Sequence, residues 1–195
     1  VGRPPSAGTV GTAQIPGTTA VHQHGGRGRV MRRPEPDPIR PGEESVWDYP
    51  RPPRVEPVRE RITIRLGGVV IADTRDAVRV LETSHPPVYY LPIGAFADGA
   101  LVPTEGSSSC EFKGGAVYFD VHGGTQVVRR AAWTYPRPER GYEQLANRVA
   151  VYAGDMDACT VGDEQVTPQP GRFYGGWITS RIRGPFKGAP GSMGW

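Results

Sequence analysis

Residues 116–135, AVYFDVHGGTQVVRRAAWTY, place two strand-like runs on either side of a glycine pair. Ala116 to His122 is rich in Val, Tyr and Phe, Gly123-Gly124 supplies a tight turn, and Thr125 to Tyr135 returns with Val127, Val128 and Trp133. β-Branched and aromatic side chains suit a pleated surface, so two such runs joined by a short glycine link predict an antiparallel hairpin. The same pattern occurs upstream. Arg61 to Leu66 alternates with a period of two, Gly67-Gly68 turns, and Val69-Val70-Ile71-Ala72 continues as a second strand. Val88 to Leu91, Val149 to Tyr152 and Ala158 to Val161 predict further strands, with a Gly162-Asp163 turn before Val166.

Two segments predict short helices. Thr74 is placed to cap one over Arg75 to Glu82, where Ala77, Val78 and Leu81 recur at spacings of three and four, before His85-Pro86-Pro87 ends it. Glu139 to Arg148, bearing Leu145, predicts the other. Strands outnumber helices and turn signals recur throughout, so the sequence reads as mainly β with one or two short helices.

The chain has 195 residues, enough for one domain with a tail. Its 27 Gly and 21 Pro are concentrated toward the start. Residues 1–33 show no apolar period; they are expected to be a disordered tail, or a misplaced start with Met31 as the true one. Residues 34–57 read as a Pro-rich arm laid on the domain by Trp47, Tyr49 and Val55, residues 58–170 as the β-rich core, and residues 171–195 as a Gly and aromatic tail that wraps it.

Charge narrows the partners. All 20 acidic residues lie between Pro34 and Pro170, beside 14 basic ones, so the net +3 comes from the two ends and the body is acidic. That argues against a nucleic-acid-binding face. No apolar run approaches the roughly twenty residues of a spanning helix, and no secretory h-region follows the first arginines, so neither a membrane nor an exported location is expected and the cytoplasm is the default. Cys110 and Cys159 then read as two thiols.

Dinucleotide, P-loop, zinc-protease and serine-hydrolase signatures are absent. Cys110, Cys159, His85 and His122 lack metal-ligand spacing, so no metal site is expected. Two constellations remain. In Ser107 to Gly114 (SSSCEFKG) a lysine near Cys110 can stabilise a thiolate, with His85 as a base if the fold brings it close; on a regular strand, however, Cys110 and Lys113 face opposite ways. The second is Tyr89, Tyr90, Tyr118, Trp133, Tyr135 and Trp177, which serve a core as readily as a cage around a planar ligand oriented by Lys113, Glu82 or Asp120. Tyr118 and Asp120 share a strand face, as do Trp133 and Tyr135, and their strands pair across the turn. Arg129-Arg130 reads as one solvated and one paired arginine, and Arg172, Arg181, Arg183 and Lys187 as cations that dock the tail onto the acidic body or touch phosphate.

Several runs together carry a resemblance. Glu44 to Pro50 (ESVWDYP), Val70 to Thr74 (VIADT), Val80 to Thr83 (VLET), Pro86 to Pro92 (PPVYYLP), Cys110 to Gly114 (CEFKG) and Ala132 to Pro136 (AWTYP) closely resemble the domain-of-unknown-function 427 family. The ending, Phe173 to Ser180 (FYGGWITS) with Gly184 to Gly188 (GPFKG), looks like its longer actinobacterial-type members. The resemblance implies a β-tent-like fold, small sheets meeting over a cleft, among relatives that include zinc-bearing and aromatic-cage domains. The C-x-x-C knuckles of the zinc-bearing relatives are missing here. The nucleotidyltransferase-like label sometimes given to the family finds no counterpart either, since Asp155 and Asp157 form the sole D-x-D and Asp155 reads as a turn. The family motif residues are Glu82, Tyr90, Cys110, Lys113, Gly114, Tyr118, Trp133 and Tyr135.

Three functions stay open. The first is a cleft binding a small polar or planar ligand, nucleotides among them, through Glu82, Tyr90, Lys113, Tyr118, Trp133 and Tyr135. The second is an enzyme working through Cys110 and Lys113, and the third an interaction module built on the arm and tail. Arm and tail can pack in cis or swap between two subunits, which makes a homodimer one of two arrangements.

Overall fold

The computed structural model describes residues 33–171, 173–192 and 195. The expected tail over residues 1–33 therefore lies outside the described residues apart from Arg33, as does Arg172. In chain order the strands are β1 (Glu44–Ser45), β2 (Arg54–Val58), β3 (Ile62–Leu66), β4 (Val69–Thr74), β5 (Ala77–Leu81), β6 (Val88–Pro92), β7 (Leu101–Cys110) and β8 (Gly114–Gly123). They continue with β9 (Gln126–Thr134), β10 (Arg148–Val151), β11 (Ala158–Val161), β12 (Glu164–Gln165), β13 (Thr167–Pro168), β14 (Trp177–Ile178) and β15 (Ile182–Arg183). The protein is mainly β, as its sequence predicts. Helical geometry among the described residues is limited to single 3-10 turns at Ile93–Ala95, Glu143–Leu145 and Ala153–Asp155.

A seven-stranded antiparallel sheet, ordered β2-β5-β6-β10-β9-β8-β7, packs on a four-stranded one ordered β12-β11-β3-β4. Period-two alternation sorts the large sheet into two faces. Tyr89, Leu91, Val121, Val149 and Val151 point to the core shared with Ile62, Ile64, Leu66, Ile71 and Cys159 of the small sheet. Their neighbours Val78, Val80, Tyr90, Ala116, Trp133, Tyr135 and Ala150 gather on the opposite face. Pro57 in β2 and Pro103 in β7 fall on the two edge strands, where a missing N–H costs no ladder bond.

The sheets meet where two hairpin tips touch backbone to backbone. A Cβ on Gly67 would lie 1.9 Å from the Gly123 carbonyl oxygen, and one on Gly124 2.4 Å from that of Gly67. With φ of 59° at Gly67 and 55° at Gly124, these positions need glycine for conformation as well as space. The turn of the second hairpin is Gly124-Thr125, one residue later than the glycine pair suggests, because Gly123 still pairs with Gln126.

The last segment binds back onto the body. Trp177 is fully buried, stacks on Tyr89 at 5.1 Å and donates its indole N–H to the Val151 carbonyl at 3.3 Å. β15 pairs in parallel with β1, and the Trp47 indole donates to the Pro185 carbonyl at 3.0 Å. Arg183 pairs with Glu43, and Arg181 reaches Glu44 and Glu60, each at 3.6 Å.

Both helix expectations are corrected. Ala77 to Leu81 is strand β5, hydrogen-bonded to β2 on one side and β6 on the other. A strand at this position is buried on both faces, so its apolar residues lose the period of two and imitate helical spacing. Thr74 caps a turn instead, its hydroxyl accepting from the Asp76 N–H at 2.9 Å. Within Glu139 to Arg148 a left-handed Gly141 (φ 94°) and Asn147 (φ 58°) leave room for the single Glu143–Leu145 turn, which still buries Leu145.

Candidate functional site

The second face of the large sheet forms the floor of a cavity of about 600 Å³. Its floor follows from register. Tyr118 and Trp133 lie directly opposite each other on β8 and β9, and Trp133 in turn opposes Ala150 on β10. Ala116, a small residue, lines the hollow beside the large rings of this face and leaves space above the sheet.

The floor is tied together by polar contacts. The Trp133 indole N–H donates to the Tyr90 hydroxyl at 3.2 Å. The Tyr135 hydroxyl couples to Tyr90 and to the Cys110 thiol. Burial pushes both phenols well above the ordinary tyrosine value, so they stay protonated and serve as neutral hydrogen-bonding groups. Tyr90, Tyr135 and Trp133 are 1%, 5% and 8% exposed, so they offer a ligand hydroxyls and ring edges. The open ring face belongs to Phe173, which is 80% exposed.

One end is cationic. Arg51, Lys113 and Lys187 line the cavity with the half-buried His85, whose imidazole is pushed down to about 4, first by burial and then by the charge of these cations. Glu82 binds two of these cations, Arg51 at 2.9 Å and Lys113 at 3.7 Å. Arg51 also lies over the Phe112 ring at 5.0 Å, and the Lys187 ammonium donates to the backbone oxygen of Trp195 at 2.7 Å. Gln169 fixes the imidazole. Its Oε1 accepts from the Gly176 N–H at 3.1 Å, so its Nε2 is the donor toward the Lys187 carbonyl at 2.7 Å and toward His85 Nδ1 at 3.1 Å. The neutral ring therefore carries its proton on Nε2.

At the other end, Tyr118, Arg130 and Asp155 surround Tyr152. The Arg130 guanidinium lies over the Tyr118 ring at 4.3 Å and donates to the Glu105 carbonyl at 2.7 Å, while the Tyr118 and Ser108 hydroxyls share a hydrogen bond at 2.8 Å. A bulge in β9 opposite Asp120 puts Arg130 at φ 50° and redirects its side chain to the cavity. The roof comes from the last segment: Phe173, Tyr174 and Gly175 close over the floor, and the Tyr174 ring meets His85 at 4.6 Å.

The structure brings Glu82, Tyr90, Cys110, Lys113, Tyr118, Trp133 and Tyr135 to the wall of this one cavity. Cys110 and Lys113 share it because β7 stops at Cys110 and the intervening residues turn. Asp120, expected to orient a ligand, instead accepts from the Arg130 backbone N–H at 2.8 Å and meets Arg129 at 3.6 Å. Of the D-x-D pair, Asp155 lines the cavity while Asp157 accepts from the Gly68 N–H at 2.8 Å. Tyr89 and Trp177 belong to the core between the sheets. Sequence reasoning missed Arg51, Arg130, Phe173 and Gln169 as cavity residues, because a bulge and long-range packing rather than a local pattern bring them there. Among the described residues no three His, Cys, Asp or Glu side chains assemble into a metal-binding group.

The family model for a domain of unknown function, DUF427, matches residues 54–162. The chain belongs to this family. No curated protein matches it. The DUF427 span carries the seven-stranded sheet, three of the four strands of the smaller one and the cavity floor, whereas Arg51, Gln169, Phe173, Tyr174, Gly175 and Lys187 lie on either side of it. No helix among the described residues is long and apolar enough to cross a membrane.

Proposed function

We propose that this DUF427 protein binds a small planar, polar molecule in the cavity over the large sheet, nucleotides among the candidates. The observation that carries this reading is the convergence of Glu82, Tyr90, Lys113, Tyr118, Trp133 and Tyr135 on one hollow of about 600 Å³, a volume typical of ligand sites. The hydroxyls of the floor supply polar contacts, and Phe173 and the Arg130–Tyr118 stack supply planar surfaces.

Thermal unfolding of the full chain against nucleosides, nucleotides and aromatic acids tests the reading. A saturable rise in midpoint that Phe173→Ala reduces supports it; no rise with any planar compound overturns it. A second reading, catalysis through Cys110, is supported by the thiol's place beside Tyr135 on the same wall as Lys113 and His85. Its test is turnover lost in Cys110→Ser with ligand binding retained.

A further inference from the structure

We propose that the cationic end of the cavity is a subsite for a phosphate group, so that the ligand is an aromatic phosphomonoester of mononucleotide size. This deepens the reading above and rests on it for the aromatic part of the ligand.

Charge balance is the first argument. Arg51, Lys113 and Lys187 line the cavity together with His85 from three separate parts of the chain, and Glu82 is the carboxylate that pairs with two of them on this wall. Glu111, which meets Arg51 at 3.5 Å, is 74% exposed and screened by solvent. The cavity's other carboxylate, Asp155, sits near Tyr152 and Arg130. Enclosed Lys113, with Lys187 held by the Trp195 oxygen and Arg51 half exposed at the mouth, outnumbers the one enclosed carboxylate, and a bound anion offsets that positive excess.

Donor geometry is the second. Lys113 is 10% exposed at its side chain, so its ammonium is held toward the hollow rather than toward bulk water. The neutral His85 keeps one N–H, on Nε2, because Gln169 occupies Nδ1. A guanidinium, two ammoniums and an imidazole N–H arriving from different segments suit the three terminal oxygens of a phosphomonoester better than the two coplanar oxygens of a carboxylate. The rest of the wall is aromatic, which places a ring beside the phosphate.

The arrangement also divides labour within the chain. Glu82, His85 and Lys113 lie in the DUF427 span, whereas Arg51 and Lys187 flank it on either side. Recognition of the phosphate thus depends on segments added to the family domain.

The experiment is calorimetric titration of the full chain with inorganic phosphate, phenyl phosphate, the four common nucleoside 5′-monophosphates and the four unphosphorylated nucleosides. The expected result is that at least one monophosphate binds tenfold or more tighter than its nucleoside, with inorganic phosphate binding weakly and competing. Lys187→Gln and Arg51→Gln should each weaken the monophosphate about tenfold and leave nucleoside binding unchanged. Arg130→Gln, at the opposite end, should leave inorganic phosphate within twofold. Equal affinity for nucleosides and their monophosphates overturns the phosphate subsite and leaves the planar-ligand reading standing. Binding of inorganic phosphate without any preference for phenyl phosphate or mononucleotides overturns the planar-ligand reading and keeps the subsite. Absence of binding by all probes overturns both. The comparison of esterified and free compounds uses the unaltered chain, so it stands even where a variant fails to fold.

Discussion

Gly175 lies directly on the Trp133 indole: a Cβ added to it would fall 2.1 Å from the ring's Cη2 atom and 3.0 Å from Cζ3. The roof of the cavity therefore touches its floor at one point, and the closeness of that contact depends on a residue with no side chain. Gly175→Ala forces the roof or the ring to move. The expected cost is about 1–3 kcal/mol of stability, as for other overpacked sites. Denaturant unfolding reads the cost, and a ligand titration should show weakened affinity in the same variant.

Phe173 tests function without the confounding effect of stability. Its ring is 80% exposed, so Phe173→Ala removes little buried surface and should change stability by less than about 0.5 kcal/mol. If the ring is a stacking surface for the ligand, affinity should fall several-fold while the unfolding midpoint of the free protein stays put. Unchanged affinity would remove Phe173 from the site.

Trp133→Ala should do both. The indole is 8% exposed, contacts Tyr152 at a centroid distance of 4.6 Å and satisfies the Tyr90 hydroxyl. Its truncation should cost about 3–5 kcal/mol and open the floor into the cavity. Trp133→Phe keeps much of the packing and loses the N–H, for which about 1 kcal/mol is expected. Urea unfolding of the pair separates packing from the hydrogen bond.

Much of this fold was legible because hairpin residues announce themselves. Gly67-Gly68 between an alternating run and a Val-rich one, and the turn after Gly123, became hairpins within one residue of expectation. Strand β5 was misread for a physical reason: Ala77, Val78, Val80 and Leu81 are buried on both faces, and an all-apolar central strand carries no period. At the site, the residues on β6, β8 and β9 could be found because strand alternation fixes which side chains share a face. Arg130 could not, since a bulge defeats alternation and brings its side chain to the cavity. Arg51 and Lys187 reach the cavity through long-range packing of the arm and the last segment, about which local sequence patterns say nothing.

The two cysteines should differ sharply in reactivity. Cys159 is 2% exposed between the sheets, and burial pushes its thiol well above the ordinary cysteine value. Cys110 is partly exposed and lines the cavity. Iodoacetamide at neutral pH should label Cys110 and spare Cys159 in the folded protein, as read by peptide mass. A ligand that fills the cavity should protect Cys110; labelling that proceeds at the same rate with saturating ligand would place that ligand elsewhere.

His85 makes stability depend on pH in a defined direction. Its imidazole is pushed from 6.5 to about 4 in the folded protein, first by burial and then by Lys187, Lys113 and Arg51. Between those values the unfolded chain binds a proton that the folded one does not, so acidification favours unfolding. The contribution is fully present above about pH 6.5 and is progressively lost as pH falls toward 4, by up to about 3 kcal/mol in total. His85→Gln removes this proton uptake, and the difference in unfolding free energy between the variant and the parent should shrink across that window. A phosphomonoester bound among the three cations reverses part of their effect, raises the imidazole's affinity for a proton, and should flatten the acid loss in the parent alone. Urea unfolding at pH 7, 6, 5 and 4.5, with and without phenyl phosphate, measures each slope. Parallel profiles for parent and variant would show that His85 does not titrate as this environment requires.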